Sequence, residues 1–287
     1  MKFNKKKMLL FMVAIIGIFT LTGCSAPQDE AGNIIMIAKE TPFMETLNDT
    51  GWFAIFVWPI CQIINYSADY LGPAGGIAAA TIIANIVIVV LTIKSQISMQ
   101  RMQLIQPELN RIQEKYANKT DDASKMRMAQ EMQTLYSKYK INPFSAMIGM
   151  FLQFPLIFAI FQAMQRSPIV TSGEFLGLHL EQTPWDGFTH GQWQYVILFV
   201  IMMAAQVGSM FIPQYLAKQR AKKKAEAEHR RYVEQKNPMG NSMYLMMIPI
   251  LILSVIWPSG MIIYWTISAL VNIFKTVFIQ YIVDKKV

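Results

Sequence analysis

Cysteine is almost absent from this 287-residue chain. The two it has, Cys24 and Cys61, exclude a disulfide framework and any zinc site built on cysteine. The three histidines, His179, His190 and His229, are scattered and offer no paired-ligand spacing. No metal site and no resident cofactor are expected. No glycine-rich phosphate loop precedes a lysine, no HExxH pair occurs, and no serine or cysteine nucleophile can be matched with a base. The sequence therefore supports neither an ATPase nor a hydrolase, and no enzymatic activity is expected. Charge is also scarce. With 15% charged residues against 53% hydrophobic and a mean hydropathy of +0.30, the chain is too apolar for a soluble globule and belongs in a membrane.

What charge there is comes in blocks. A formal net charge of +8 would raise nucleic acid as a partner in a soluble protein. Here the lysines and arginines sit between apolar runs, so they read as topology signals, and no direct nucleic-acid recognition is expected. Met1 to Lys7 carries four lysines, and Met8 to Leu21 is an apolar stretch of 14 residues. As helix that stretch reaches about 21 Å, short of the roughly 30 Å hydrocarbon core, so it reads as a secretory h-region rather than a span. It ends in Leu21-Thr22-Gly23-Cys24, which resembles the bacterial lipobox. Residues 1–23 are thus expected to be a removed lipoprotein signal peptide, leaving Cys24 as the first mature residue. The thiol of Cys24 would carry diacylglycerol, with its amino group open to a further acyl chain.

Past a polar extracytoplasmic linker, 24–50, the segment 51–71 is apolar but interrupted by Pro59, Gln62, Asn65 and Asp69, with Trp52, Phe53, Phe56, Trp58 and Tyr66 interleaved. That mixture suits an amphipathic helix lying in the membrane interface. Gly72 to Gly76 breaks the chain. Five transmembrane helices follow, expected at 75–94, 143–165, 193–213, 241–257 and 260–283. The connection 95–142 holds eight Lys or Arg and 213–240 another eight, whereas 25–73 holds only Lys39 and 165–191 only Arg166. The positive-inside rule puts the two basic loops, 95–142 and 214–240, in the cytoplasm, with 166–192 outside. An exported N-terminus followed by five spans independently brings the tail 284–287 inside. The expected location is therefore a bacterial plasma membrane, crossed several times, with membrane lipids as the immediate partner.

The first basic loop has a pattern of its own. Leu109, Ile112 and Tyr116 repeat at three and four residues after Pro107, a residue suited to a first helical turn. Met128, Met132, Leu135 and Tyr139 repeat similarly after Asp121 and Asp122, which suit a cap. Two short amphipathic helices joined through 117–120 make a helical hairpin with a narrow apolar seam. About 48 residues is long for a mere connection, although a self-packed spacer is the bland reading. The second basic loop, with Lys222-Lys223-Lys224 and Arg230-Arg231, reads either as a flexible lipid- or ribosome-facing stretch or as a topology determinant only.

Polar residues inside apolar spans are costly unless they face protein or water. Asn85, Gln153, Gln162, Gln206, Ser254, Asn272 and Lys275 are such residues. For the uncharged ones, hydrogen bonding between helices is the ordinary role. Lys275 differs, because a charge at that depth needs a reason. The 21 methionines suit a surface accepting varied apolar partners, and equally an ordinary core.

Taken in order, a lipobox, Leu91-Thr92-Ile93-Lys94 ending the first span, Gln106-Pro107-Glu108 in the hairpin, Asn142-Pro143, Gln153-Phe154-Pro155, Asn237-Pro238, Trp257-Pro258 and Tyr264-Trp265 resemble the YidC/Oxa/Alb membrane protein insertases of Gram-positive lipoprotein type. The resemblance covers essentially the whole mature chain. It implies an all-α integral membrane protein whose five-helix bundle encloses a hydrophilic groove open to the cytoplasm and the lipid, plus the hairpin and the interfacial helix. Asn85, Gln153, Gln206, Tyr264, Trp265 and Lys275 would line that groove. The hairpin, with Pro107, Leu109, Ile112, Tyr116, Met128, Met132, Leu135 and Tyr139, would receive clients. Partners implied are nascent membrane proteins, the ribosome and signal recognition machinery, and for some clients the Sec translocon. Such a protein hydrolyses no nucleotide.

Two departures stand out. Counting back from Lys94, the arginine such proteins usually carry in the groove falls on Asn85, while a glutamine of the last span falls on Lys275. Lys275 either replaces the missing charge from the opposite wall or is a lipid-facing lysine that snorkels and merely tolerates its position. The competing reading is a small-solute transporter or channel, with Lys275 and the buried amides along a solute path. Against it, no inverted repeat of short broken spans is visible. A passive lipoprotein scaffold is the third class.

Overall fold

The structure is a computed structural model that describes residues 26–227, 229, 251–252 and 254–284. The acylation expected at Cys24, most of the second basic loop beyond residue 227, and most of the expected fourth span lie outside the described residues. What is described is mostly helical. In chain order come α1 (Phe43–Thr50), a 3-10 turn (Gly51–Phe53), α2 (Ala54–Leu104), α3 (Gln106–Tyr116), α4 (Asp122–Lys138) and α5 (Pro143–Arg166). After α6 (Pro168–Thr171), a two-residue antiparallel hairpin of β1 (Glu174–Phe175) and β2 (Leu178–His179) leads to α7 (Pro184–Thr189), α8 (Trp193–Ala227) and α9 (Ser259–Asp284). Three stretches among the described residues are long and apolar enough to cross a membrane: Phe43–Met99, Trp193–Arg220 and Ser259–Ile279. At 24 residues, α5 reaches about 36 Å, enough by length.

The described chain divides into two compact units, one from residues 26–85, 152–202 and 254–268, the other from 86–151, 203–252 and 269–284. In the first, α2 is broken inside. Gly72 has φ 71° and ψ 173°, a backbone setting that glycine enters without strain, and Pro73 restarts the helix at a position where a missing N–H is harmless. The turn is sharp. A Cβ at Gly76 would lie 2.6 Å from the carbonyl oxygen of Ile64, so the chain after the break passes hard against the chain before it. The half before the break buries Val57, Ile60, Cys61, Ile64 and Ala68 on one side and exposes Trp52, Ile55, Phe56, Tyr66, Tyr70 and Leu71 on the other.

Gln62 and Asn65, which read as breaks in an apolar helix, turn inward with 6% and 1% exposure. Residues 26–42 explain this. They run without a ladder of their own beyond the single bridge Gln28↔Ile34, so their carbonyls need donors from elsewhere. Gln62 Nε2 donates to Ala38 O at 2.9 Å, Asn65 Nδ2 to Ile37 O at 2.8 Å, and Trp58 Nε1 to Thr41 O at 2.9 Å. The stretch expected as a polar linker is thus packed, with Ile37 fully buried and α1 formed within it.

In the same unit, the connection between α5 and α8 is pinned at three places. Leu180 O and Gln182 O accept from the backbone N–H groups of Gly260 and Ser259, satisfying donors that the first turn of α9 would otherwise leave open. Tyr195 Oη donates to Gln182 Oε1 at 2.8 Å and accepts from His179 N at 3.1 Å. Gly173 allows Pro73 to approach so closely that a Cβ there would meet its ring at 2.7 Å.

In the second unit, α3 and α4 run antiparallel. Glu108 Oε1 accepts from Tyr139 Oη at one end, and Glu131 Oε1 accepts from Tyr116 Oη at the other, each at 2.8 Å. Between them Ile105, Leu109, Leu135 and Ile141 are buried, with Ile112, Met132 and Tyr139 packed against them. Asp121 caps α4 by accepting from Ser124 N at 2.8 Å, and Pro107 sits in the first turn of α3. Met128 departs from the expected seam and is only half-buried. The reason is length: α3 ends at Tyr116, opposite Glu131, so Met128 lies a turn beyond any facing residue.

The helix α8 also outruns its expected bounds of 193–213, continuing through Pro213 to Ala227. Residues 214–227, read as the flexible beginning of a basic loop, are mostly Ala, Lys, Arg, Gln and Glu, all strong helix formers, and propagation onto a helix already nucleated needs no new nucleus.

Candidate functional site

Asn85, the position of the expected groove cation, is 4% exposed. Its Nδ2 donates to Thr81 O one turn back at 2.8 Å and lies 3.5 Å from Ser268 Oγ on α9. This amide is a tie between α2 and α9, the ordinary role of a neutral polar group within a bundle. Tyr264 and Trp265 are buried, at 1% and 6% exposure. Trp265 lies nearly parallel to Trp257 with centroids 5.6 Å apart, and Trp257 stacks on Phe161 at 4.4 Å. A three-ring stack therefore joins α5, the Trp257-Pro258 turn and α9, and it occupies the place where groove-lining aromatics were expected. Gln162 and Ser254, also in this unit, are fully buried.

The second unit holds two of the remaining expected groove residues, Gln206 and Lys275, while Gln153 falls in the first. Gln206, on α8, is half-buried, and its carbonyl accepts from Ser209 Oγ at 2.8 Å. Lys275 is half-buried on α9 and makes no ion pair among the described residues. Gln153 lies on α5, with only its backbone among the described residues. The hairpin residues Pro107, Leu109, Ile112, Tyr116, Met132, Leu135 and Tyr139 come together as described, Met128 excepted.

Electrostatics are most developed on the hairpin. Lys115 Nζ and Tyr116 Oη both donate to Glu131 Oε1, at 2.6 and 2.8 Å. These donors hold the Glu131 carboxyl below the usual glutamate range, while the carboxylate raises Lys115 and Tyr116 above theirs. Lys115 and Lys119 each place Nζ 5.3 Å from the centre of the Tyr116 ring.

Arg166 is the residue that sequence reasoning used only for counting loop charge. It is fully buried at the end of α5. Its Nε donates to Ile35 O at 2.7 Å, Nη1 to Thr50 Oγ1 at 2.5 Å, and Nη2 lies 3.5 Å from Asp49 Oδ2, while its own carbonyl accepts from Ile37 N at 2.7 Å. The signal was present: a single arginine at the end of an apolar run, in a connection otherwise empty of cations, has to be held by something.

Long apolar helices, polar ties between them, and a charged helical hairpin set between α2 and α5 define a multi-pass helical membrane protein. The model of the 60Kd inner membrane protein family matches residues 71–286. The chain belongs to that family, which includes the proteins named YidC. Among curated relatives, "Membrane protein insertase YidC 2" of Bacillus anthracis is 30% identical over 238 residues, 82% of this chain and 84% of the relative. "Membrane protein insertase MisCA" of Bacillus subtilis is 25% identical over 280 residues, 96% of this chain and 92% of the relative. "Membrane protein insertase YidC 2" of Listeria innocua is 25% identical over 279 residues, 96% and 84%.

Proposed function

We propose that the chain is a membrane protein insertase of the bacterial plasma membrane. It receives nascent membrane proteins at the α3–α4 hairpin on the cytoplasmic side, moves their short polar segments through a hydrophilic groove closed toward the outside, and releases their apolar helices into the bilayer. Burial of the client helix drives the process, and no nucleotide is hydrolysed. The mature N-terminus is acylated at Cys24 and lies outside. The ribosome and signal recognition machinery deliver clients, some together with the Sec translocon.

Family membership across 71–286 supports the activity. The single observation that carries the direction of handling is the hairpin itself, a charged pair of helices in a connection with eight Lys or Arg between two apolar helices, with a groove left open along it. The pinned connection between α5 and α8, its backbone tied to the start of α9 and to Tyr195, supports a closed outer end. The test is reconstitution: purified chain in vesicles should render a small single-span client protease-protected. Solute flux without protection would overturn the reading in favour of a transporter. Deleting 107–140 should cut insertion while leaving the spans in the membrane, whereas unchanged insertion would reduce the hairpin to a spacer.

A further inference from the structure

Along the hairpin, one face of α4 and the end of α3 enclose a groove of about 430 Å³, floored by Ile112 and Leu135 and flanked by Tyr116 and Thr134. Arg127 and Lys138 stand at its two ends, eleven residues apart on α4. Eleven residues bring a helix back to within about 20° of the same face and separate the two cations by about 16 Å along it. Both side chains are exposed, and neither makes an ion pair among the described residues. The one acid lining the groove, Glu131, is already taken by Lys115 and Tyr116, so it does not cancel the cations at the ends. The Lys119 ammonium over the Tyr116 ring adds further positive charge beside the groove. The result is a groove about three helical turns long, with Ile112 and Leu135 in its floor and Gln130 and Thr134 along it, between two cations that make no ion pair among the described residues.

We infer that this groove binds a client segment that is apolar on one face and acidic toward its ends, and that it selects clients by the charge flanking their apolar run. The inference rests on the proposed role of the hairpin in receiving clients. Complementarity of charge carries it: a helix whose acidic residues also recur at eleven can set both against Arg127 and Lys138 while its apolar face covers Ile112 and Leu135. A basic flank is repelled from the same ends. A groove positive at both ends therefore favours clients whose apolar run is flanked by acids over clients whose run is flanked by bases.

The probe is a fluorescein-labelled helical peptide of 15 residues with leucines on one face and glutamates at its second and thirteenth positions, paired with the same peptide carrying lysines there. Full-length chain in nanodiscs of zwitterionic lipid should bind the glutamate peptide at least tenfold more tightly, and the difference should shrink in molar salt. Arg127→Glu with Lys138→Glu should reverse the preference. Because both residues are exposed, the helical circular dichroism of that variant should match the parent. Equal binding of the two peptides, or a preference unchanged in the double variant, overturns the inference. So does the absence of peptide preference combined with weakened binding of the double variant to phosphatidylglycerol vesicles, which would assign the cations to lipid. If the preference reverses as expected but deletion of 107–140 leaves insertion intact, the groove assignment stands and the client-receiving reading falls.

Discussion

The guanidinium of Arg166, with none of its surface exposed, donates through Nε to the backbone carbonyl of Ile35, 131 residues earlier in the chain. One side chain thereby fastens an otherwise unladdered segment to the end of a spanning helix. Replacing it strands the Ile35 carbonyl, the Thr50 hydroxyl and a partly buried Asp49 carboxylate. Arg166→Met should lower stability by about 1–3 kcal/mol for the unmet polar groups. Thermal unfolding in detergent, with faster proteolysis within 26–42, would show it. Arg166→Lys should recover only part, because a single ammonium cannot reach in the three directions the fork covers.

At Gly76 the limit is space. Its virtual Cβ falls 2.6 Å from a backbone oxygen, and backbone cannot swing aside as a side chain can. Gly76→Val should force apart the two halves of α2, destabilising the fold by about 1–3 kcal/mol, as overpacking generally does. An unchanged melting curve would show that the turn at Gly72 has slack.

Glu131 makes the hairpin sensitive to acid. Its folded pKa lies below the ordinary 4.5, so its contribution is complete above that value and is lost as pH falls through the depressed one. Lys115 has the opposite sign: its folded pKa is raised above 10.5, so its contribution holds below that value and fades as pH rises through the raised one. Amide exchange around 131–135, corrected for intrinsic rate, should stay slow between these limits and quicken below pH 4.5. Glu131→Gln should abolish the acid limb of that profile.

Cys24→Ser should abolish labelling by radioactive palmitate and leave the precursor uncut at this site. Labelling that persists would move the acylation elsewhere.

The charge at Lys275 is expected to matter to client choice. Lys275→Ala should impair insertion of clients with acidic translocated segments, and Asn85→Arg should restore it. That second change must displace a tie to Thr81 and Ser268, so a melting curve should accompany the insertion assay. Full activity of Lys275→Ala, with unchanged client preference, would leave the lysine without a part in the groove.

Periodicity made some of this legible in advance. Leu109, Ile112 and Tyr116 mark their seam because a helix returns to one face every three or four residues, and Asp121 announces a cap by its chemistry. Gly72-Pro73 announces the break in α2 for the same reason. The partner of each polar residue was not legible. Gln62 and Asn65 look like defects in an apolar helix until the carbonyls of 37 and 38 are seen beside them, and no local pattern places residues 26–42 there. Met128 misled because a repeat describes one helix and says nothing about where its neighbour stops. Tyr264 and Trp265 read as a groove motif, and no local pattern shows that Trp265 stacks on Trp257, which in turn stacks on Phe161 about a hundred residues away.

The Arg166–Ile35 fastening also bears on the order of synthesis. The segment 26–42 is made first, but its clasp emerges from the ribosome 131 residues later. At bacterial elongation rates of about 5–20 residues per second, roughly 7 to 26 seconds pass before the first can meet the second. During that interval Trp58, Gln62 and Asn65 can already hold the carbonyls of 37, 38 and 41, but the Ile35 carbonyl waits for its guanidinium. A lipid on Cys24 would hold the segment at the membrane surface until the end of α5 arrives to receive it.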